Sequence, residues 1–310
     1  MTRVVLATAY GGPEVLTVAD RPVSAPGPGE ARVEVRAAGV NPADWKSYTG
    51  AFGTDPAQLP RRLGFEVSGV VTAVGPDVAL SVGDEVIGFR VSGGYAAEIV
   101  VQATALVPKP ASLGWEPAAG LMLAGATAVH ALTATGVGEG DTVLVHGAAG
   151  GVGLMAVQLA ALRGARVVGT VGGDGADLVR RLGAEPVRYG AGLADRVRAV
   201  APDGVDAALD LVGTDEAVDV SLELVADRHR IATIAAFGRA AADGIRALGG
   251  GPGADPGTEL RDAARAELAA LAGAGRLEVV VAGSFPLEEV AAAHRQGMAG
   301  HTHGKLVLLP

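Results

Sequence analysis

The stretch from Asp141 to Val171, DTVLVHGAAGGVGLMAVQLAALRGARVVGTV, constrains the fold of this chain more than any other. An apolar run, Thr142 to Val145, enters a turn of small residues from Gly147 to Gly153. Apolar residues then recur at Leu154, Val157, Leu159 and Leu162, and a second apolar run follows from Arg166 to Val171. That order and length predict a strand, a helix and a parallel strand, one βαβ unit. Read as G-x-G-x-x-G, the turn has Ala148 in the first place and Gly150 and Gly153 in the other two. A backbone without Cβ can approach a pyrophosphate closely, and the helix N-terminus behind it supplies unpaired N–H groups and a favourable dipole. The pattern alone is weak in a chain with 47 glycines. Its setting between strand and helix makes it a candidate dinucleotide site, with Ala148, Gly150, Gly151, Val152 and Gly153 against the diphosphate.

The alternation continues beyond Val171. Helices are expected around Ala176 to Leu182, Leu193 to Val200 and Glu216 to Val225, and strands at Pro186 to Tyr189, Val205 to Leu211 and Arg230 to Ala235. Alternating strands and helices imply a Rossmann-type, doubly wound parallel sheet, so the fold class is α/β. In such a sheet the loops at the carboxyl ends of the strands face the ligand. Val212 and Gly213, and then Ala235, Ala236 and Phe237, are therefore expected in the same crevice as the glycine turn. Residues 1 to about 117 read differently, as short strands at Val4 to Ala7, Glu30 to Ala37, Val67 to Val74, Glu85 to Phe89, Gly94 to Val101 and Ala105 to Val107, separated by Pro and Gly turns. A β-rich barrel or sandwich follows. Between the two regions, Trp115 to Thr135 is helical, with Thr127 and His130 its polar members. Near the other end, Gly249 to Gly253 reads as a flexible loop or domain junction, Thr258 to Ala274 as a long amphipathic helix, and the tail as strand, helix and strand.

Whole-chain properties exclude several classes. A formal charge of −9 with no basic run argues against nucleic acid. No segment is apolar enough to span a bilayer and no secretory leader is apparent, so a cytoplasmic protein is expected. The absence of cysteine removes disulfides, thiolate catalysis and cysteine-ligated zinc. His301 and His303 lack a nearby third ligand, and no metal site is expected from them.

The segment from Ala38 to Gly50, AGVNPADWKSYTG, carries an unusual density of proton donors and acceptors. By itself it reads blandly: Asn41 capping a turn begun by Pro42, and Asp44, Lys46 and Tyr48 in a solvated first helical turn.

Several stretches together resemble one family. They are Ala38 to Asp44, Gly64 to Val71 (GFEVSGVV), Val82 to Val86 (VGDEV), Ala124 to Ala128, the glycine turn, and the closing Gly304 to Leu308 (GKLVL). In these the chain resembles the medium-chain dehydrogenase/reductases, and within them the zinc-independent quinone oxidoreductase-like branch. The resemblance implies a GroES-like catalytic domain split between residues 1–117 and 275–310, a Rossmann domain at 118–274, and a homodimer. It also implies cofactor contacts at Asn41, Thr127 and Lys305. Where zinc-dependent relatives have a cysteine ligand this chain has Asn41, and where they have a histidine it has Phe65.

Without a Lewis acid to assist alcohol oxidation, the reaction that fits is hydride addition to an acceptor already electron-poor, a quinone or an α,β-unsaturated carbonyl. Asn41, with Asp44 and Tyr48, is the expected catalytic group. The second strand ends in Gly172 and Gly173, small enough to admit a 2′-phosphate, and Tyr189 matches a family position that contacts it. Asp174 lies just beyond, yet the balance favours NADPH over NADH. Competing readings are an enoyl-thioester reductase of fatty-acid or polyketide assembly, and a non-catalytic NADPH-binding sensor.

Overall fold

A computed structural model describes all 310 residues. They form two compact units, one from Met1–Leu123 with Arg265–Pro310 and the other from Ala124–Ala264.

The first unit begins with β1 (Thr2–Ala7), β2 (Leu16–Arg21), β3 (Glu30–Val40) and α1 (Pro42–Tyr48). It continues with β4 (Arg61–Arg62), β5 (Glu66–Val74), β6 (Glu85–Phe89), β7 (Glu98–Gln102), β8 (Leu106–Pro108) and α2 (Trp115–Ala119). The helix α3 (Met122–Ala134) leads into the second unit, which contains β9 (Thr142–His146), α4 (Gly151–Leu162), β10 (Arg166–Val171), α5 (Ala176–Arg181) and β11 (Ala184–Arg188). After these come α6 (Leu193–Val200), β12 (Ala207–Asp210), α7 (Asp215–Leu224), β13 (Ile231–Thr233), α8 (Phe237–Asp243) and β14 (Arg246–Ala247). The chain then returns to the first unit through α9 (Thr258–Gly273), β15 (Val281–Pro286), α10 (Val290–Met298) and β16 (Lys305–Leu309).

In the second unit all six strands are parallel, in the order β11-β10-β9-β12-β13-β14. This is the doubly wound sheet expected, and its strands are nearly continuous apolar runs because helices cover both faces. Leu144, Val168, Val187, Val197, Ala208, Val218 and Ile231 form part of its core. Residues Gly153 to Ala160 of α4 are all buried, so this helix carries no polar face.

The first unit is β-rich, as expected. One sheet has the order β15-β16-β3-β5-β6-β8, with β7 added to β3, and a smaller one the order β2-β1-β4. Pairing is antiparallel apart from β15 with β16. Alternation along β3 sends Val33 and Val35 inward against Val67, Val71 and Ile99. The C-terminal strand β16 lies beside β3, with Leu306 opposite Val40, which places the end of the chain against the residue before Asn41.

Some local expectations change. The expected helix from Trp115 to Thr135 is two helices broken at Gly120 and Leu121. Strand β2, the helix α8 and the short strand β14 carry no clear period in the sequence. The glycine-rich segment 249–253 is a turn inside the second unit, closed by a bridge from Leu248 to Asp255, and the division between units falls at Ala264 and Arg265 instead.

Candidate active site

The glycine turn is built by close packing. Gly147 has φ +72°, which reverses the chain at the end of β9, and Gly150 is the N-cap of α4. A Cβ on Gly153 would stand 2.2 Å from the carbonyl oxygen of Gly147 and 2.7 Å from Ala148, so only glycine fits there. Ala148 replaces the first glycine of the pattern without strain, because its Cβ rests on Gly169 of β10, where a second Cβ would be 2.8 Å away. The small residue has moved to the neighbouring strand. The first N–H groups of α4 have no intrahelical acceptor, and with the bare main chain they make a cradle for an anion. The residues therefore fit a dinucleotide diphosphate.

The other expected nucleotide residues are placed as follows. The Tyr189 hydroxyl lies over Gly172, where a Cβ would be 3.4 Å from it, and Gly173 has open space around it. Val212 and Gly213 follow β12, and Ala235 and Ala236 follow β13; a Cβ on Gly213 would be 2.8 Å from that of Ala235, so these two loops touch. Phe237 is not a loop residue. It starts α8, and its ring covers Gly251. Thr127 is buried on α3.

Sequence reasoning missed a row of buried polar residues at the strand ends, Thr170, His146, Asp210 and Thr233. An ionisable side chain in the apolar run Ala207-Ala208-Leu209-Asp210 was the available signal. His146 reaches Thr170 Oγ1 through Nδ1 at 3.4 Å, its Nε2 makes no hydrogen bond, and burial holds its pKa down at about 4.

In the first unit, Asn41 stands at the end of β3 and Pro42 opens α1 at N1, where its missing N–H costs nothing. The Asn41 side chain donates through Nδ2 to Glu66 Oε1 at 2.9 Å and to the Gly39 carbonyl at 3.3 Å. Its Oδ1 accepts from Lys305 Nζ, and this cationic donor fixes which way the amide faces. Lys305 also donates to Glu66 Oε1 at 3.0 Å and to the Val40 carbonyl at 3.2 Å, and Glu66 Oε2 accepts the Leu123 N–H at 2.8 Å. Side-chain exposure is 5% for Lys305 and 0% for Glu66. This buried cluster joins β3, β5, β16 and the start of α3.

Two expectations change here. Lys305, expected at the cofactor, has all three ammonium protons committed within the unit. Asn41, expected to polarise an acceptor, has both amide protons committed as well, leaving it one lone pair on Oδ1 for a ligand's donor.

Asp44 and Tyr48 are not solvated. Both have 0% exposure. The Asp44 carboxyl accepts the Asn41 N–H at 2.8 Å and the Gly64 N–H at 3.0 Å, so it ties together the segments bearing Asn41 and Glu66. Burial raises its pKa to about 7, while the Asn41 N–H, the Tyr95 hydroxyl, the charge of Lys305 and the Gly64 N–H pull it back. Tyr48 turns its hydroxyl inward to His294 Nδ1 at 2.7 Å, and Tyr95 approaches His294 Nε2 at 3.3 Å. Trp45 packs edge-on against the same imidazole. Burial lowers the His294 pKa to about 4.

A pH dependence follows with a definite sign. Between pH 6.5 and 4 the unfolded chain protonates histidines that the folded protein keeps neutral, so stability present above pH 6.5 is lost as pH falls toward 4. His146 and His294 each contribute up to about 3 kcal/mol to that loss. Asp44 has the opposite sign, its contribution being present below pH 3.8 and lost as pH rises through about 7, and it offsets part of the effect. Thermal midpoints should therefore fall from pH 7 to pH 4, and His294→Gln should flatten the fall. A midpoint indifferent to pH over this range would contradict neutral burial.

No group of three His, Cys, Asp or Glu side chains is placed to hold a metal, and the Asn41–Glu66 cluster already contains an ammonium.

Comparison with known proteins agrees with this architecture. Residues 27–111 match the alcohol dehydrogenase GroES-like domain, and residues 175–308 match the family described as zinc-binding dehydrogenase. The chain is 37% identical to a quinone oxidoreductase of Pseudomonas aeruginosa over 97% of its own length and 98% of that protein. It is 35% identical to a 2-haloacrylate reductase of a Burkholderia species, covering 97% of this chain and 96% of that one. The crystal structure of Escherichia coli quinone oxidoreductase complexed with NADPH superposes with a TM-score of 0.88 at 28% identity, covering 100% of both chains. A parallel nucleotide-type sheet inserted into a split GroES-like unit, with this likeness along its whole length, shows that the chain belongs to the medium-chain dehydrogenase/reductases, among the quinone oxidoreductases.

Proposed function

We propose that this protein is an NADPH-dependent oxidoreductase that reduces a quinone or a conjugated carbonyl without a metal. The observation that carries the reading is the bare-backbone cradle at Gly147 to Gly153, closed to any side chain at Gly153, in a member of this family. When bound, NADPH supplies a hydride.

The chain's own residues hold and orient. The α4 N-terminus and the glycine turn take the diphosphate, and the open space at Gly172 and Gly173 beside the Tyr189 hydroxyl admits a 2′-phosphate. The Asn41 amide is locked by Glu66 and Lys305, so its single free lone pair points in one direction. The missing metal ligands favour an acceptor that needs no Lewis acid, and the 2-haloacrylate reductase among the relatives supports a polarised double bond as one such acceptor. A homodimer is part of the proposal.

Steady-state oxidation of NADPH against a panel of quinones and enones, in chelator-treated buffer, tests it. Turnover unaffected by chelation and weaker with NADH is the expected result. Silence across the panel would favour a nucleotide-binding sensor, and activity restored only by zinc would overturn the metal-free reading.

A further inference from the structure

Four strand ends stand side by side in the parallel sheet. Thr170 is opposite His146, His146 opposite Asp210, and Asp210 opposite Thr233. Residues in register on parallel strands point to one face, so these side chains form a polar row along the carboxyl edge. The loops assigned to the dinucleotide start from it: Gly147 follows His146, Val212 and Gly213 follow Asp210, and Ala235 and Ala236 follow Thr233.

Resting on the reading that this unit holds NADPH, we propose that Asp210 and Thr233 are positioning residues that set the two outer loops of the dinucleotide cradle as one hydrogen-bonded unit. Counting donors and acceptors leaves a single arrangement. Asp210 Oδ1 accepts the N–H of Val212 at 3.1 Å and that of Gly213 at 2.7 Å, and Oδ2 lies 2.6 Å from the Thr233 hydroxyl. A hydroxyl has one proton and two lone pairs, and two N–H groups already point at this oxygen, so Thr233 is the donor in that last bond. The two lone pairs left on Thr233 Oγ1 accept the N–H groups of Ala235 at 3.1 Å and Ala236 at 2.8 Å. Every position on the hydroxyl is filled. Since the two loops also touch at Gly213 and Ala235, moving one moves the other.

The filled hydroxyl makes Asp210→Asn a sharp probe despite its small size. An asparagine amide facing Thr233 would have to donate to an oxygen with no free lone pair, and one alanine N–H must let go. With the amide reversed, its NH2 would instead face the N–H groups of Val212 and Gly213. Either way one loop is released. Thr233→Val removes both roles of the hydroxyl, whereas Thr233→Ser keeps both.

The test is fluorescence titration with NADPH, no acceptor present, on the wild type, D210N, T233V, T233S and D210N/T233V, with a thermal midpoint for each. Expected are at least tenfold weaker binding in D210N and T233V, near-normal binding in T233S, and a double variant no more than about threefold weaker than the weaker single, as for residues acting as one unit. The KM for the acceptor should stay within about twofold. Folded D210N and T233V proteins that bind NADPH as the wild type does would overturn the proposal, as would losses that multiply in the double variant. Hydrogen exchange on the dinucleotide-free wild type requires no variant to fold: the amides of Val212, Gly213, Ala235 and Ala236 should be protected, and fast exchange at them would also overturn it. A wild type that binds neither NADPH nor NADH defeats the reading of the unit itself, a result distinct from variants that bind normally.

Discussion

Lys305→Met should destabilise the protein by about 3–5 kcal/mol at neutral pH, the usual cost of leaving one partner of a buried ion pair alone. Glu66 has no solvent exposure, and without the ammonium its carboxylate keeps only the Asn41 amide and the Leu123 N–H as donors. The Asn41 Oδ1 loses its cationic partner in the same step, so the amide is no longer held in one orientation. Chemical denaturation measures the loss. Adding Glu66→Gln to the Lys305→Met background should recover much of it, since removing both charges of a buried pair is often close to neutral. A single Lys305→Met variant within about 1 kcal/mol of the wild type would show that the pair is not an energetic joint between β3, β5 and β16.

The second large effect is expected at the glycine turn. Gly153→Ala puts a Cβ where the Gly147 carbonyl oxygen is 2.2 Å away, so the turn must open and the helix N-terminus must shift from the diphosphate position. Roughly a 100-fold loss of NADPH affinity, at about 1.4 kcal/mol per tenfold, should accompany a lower melting temperature. Gly150→Ala separates the two effects. A Cβ there would lie 3.3 Å from the Gly147 oxygen, and its φ of −73° suits any residue. It should cost the fold much less than Gly153→Ala, since the Gly147 carbonyl need give only a few tenths of an ångström, and weaken NADPH by tenfold or more because the added methyl meets the ligand. Equal NADPH binding by both alanine variants and the wild type would remove the diphosphate from this turn.

What the sequence disclosed divides by range. The βαβ unit was legible because its signals are local: apolar runs, a 3.6-residue period and small residues in a fixed order. Strands β6 and β10 and the helix α6 were placed to the residue for the same reason. Strand β2 was invisible because it is an edge strand with mostly exposed or half-buried side chains, so no apolar alternation marks it. The cluster of Asn41, Glu66 and Lys305 joins positions up to 264 residues apart, and no spacing rule connects them. Asp44 and Tyr48 read as solvated because polar residues after a proline usually are; the partners that bury them, Tyr95 and His294, come from a loop before β7 and from α10. The resemblance to a family located Asn41 and Lys305, but only geometry revealed that their donors face inward.

The most direct measurement of the central claim is a single turnover. Protein saturated with NADPH carrying deuterium at one or the other C4 position is mixed with a quinone or enone, and the absorbance of the reduced nicotinamide is followed. Decay that is slowed by deuterium at only one of the two positions is the predicted result, since a hydride leaving a fixed nicotinamide departs from one face. Bound NADPH whose absorbance persists in the presence of every acceptor would contradict the account.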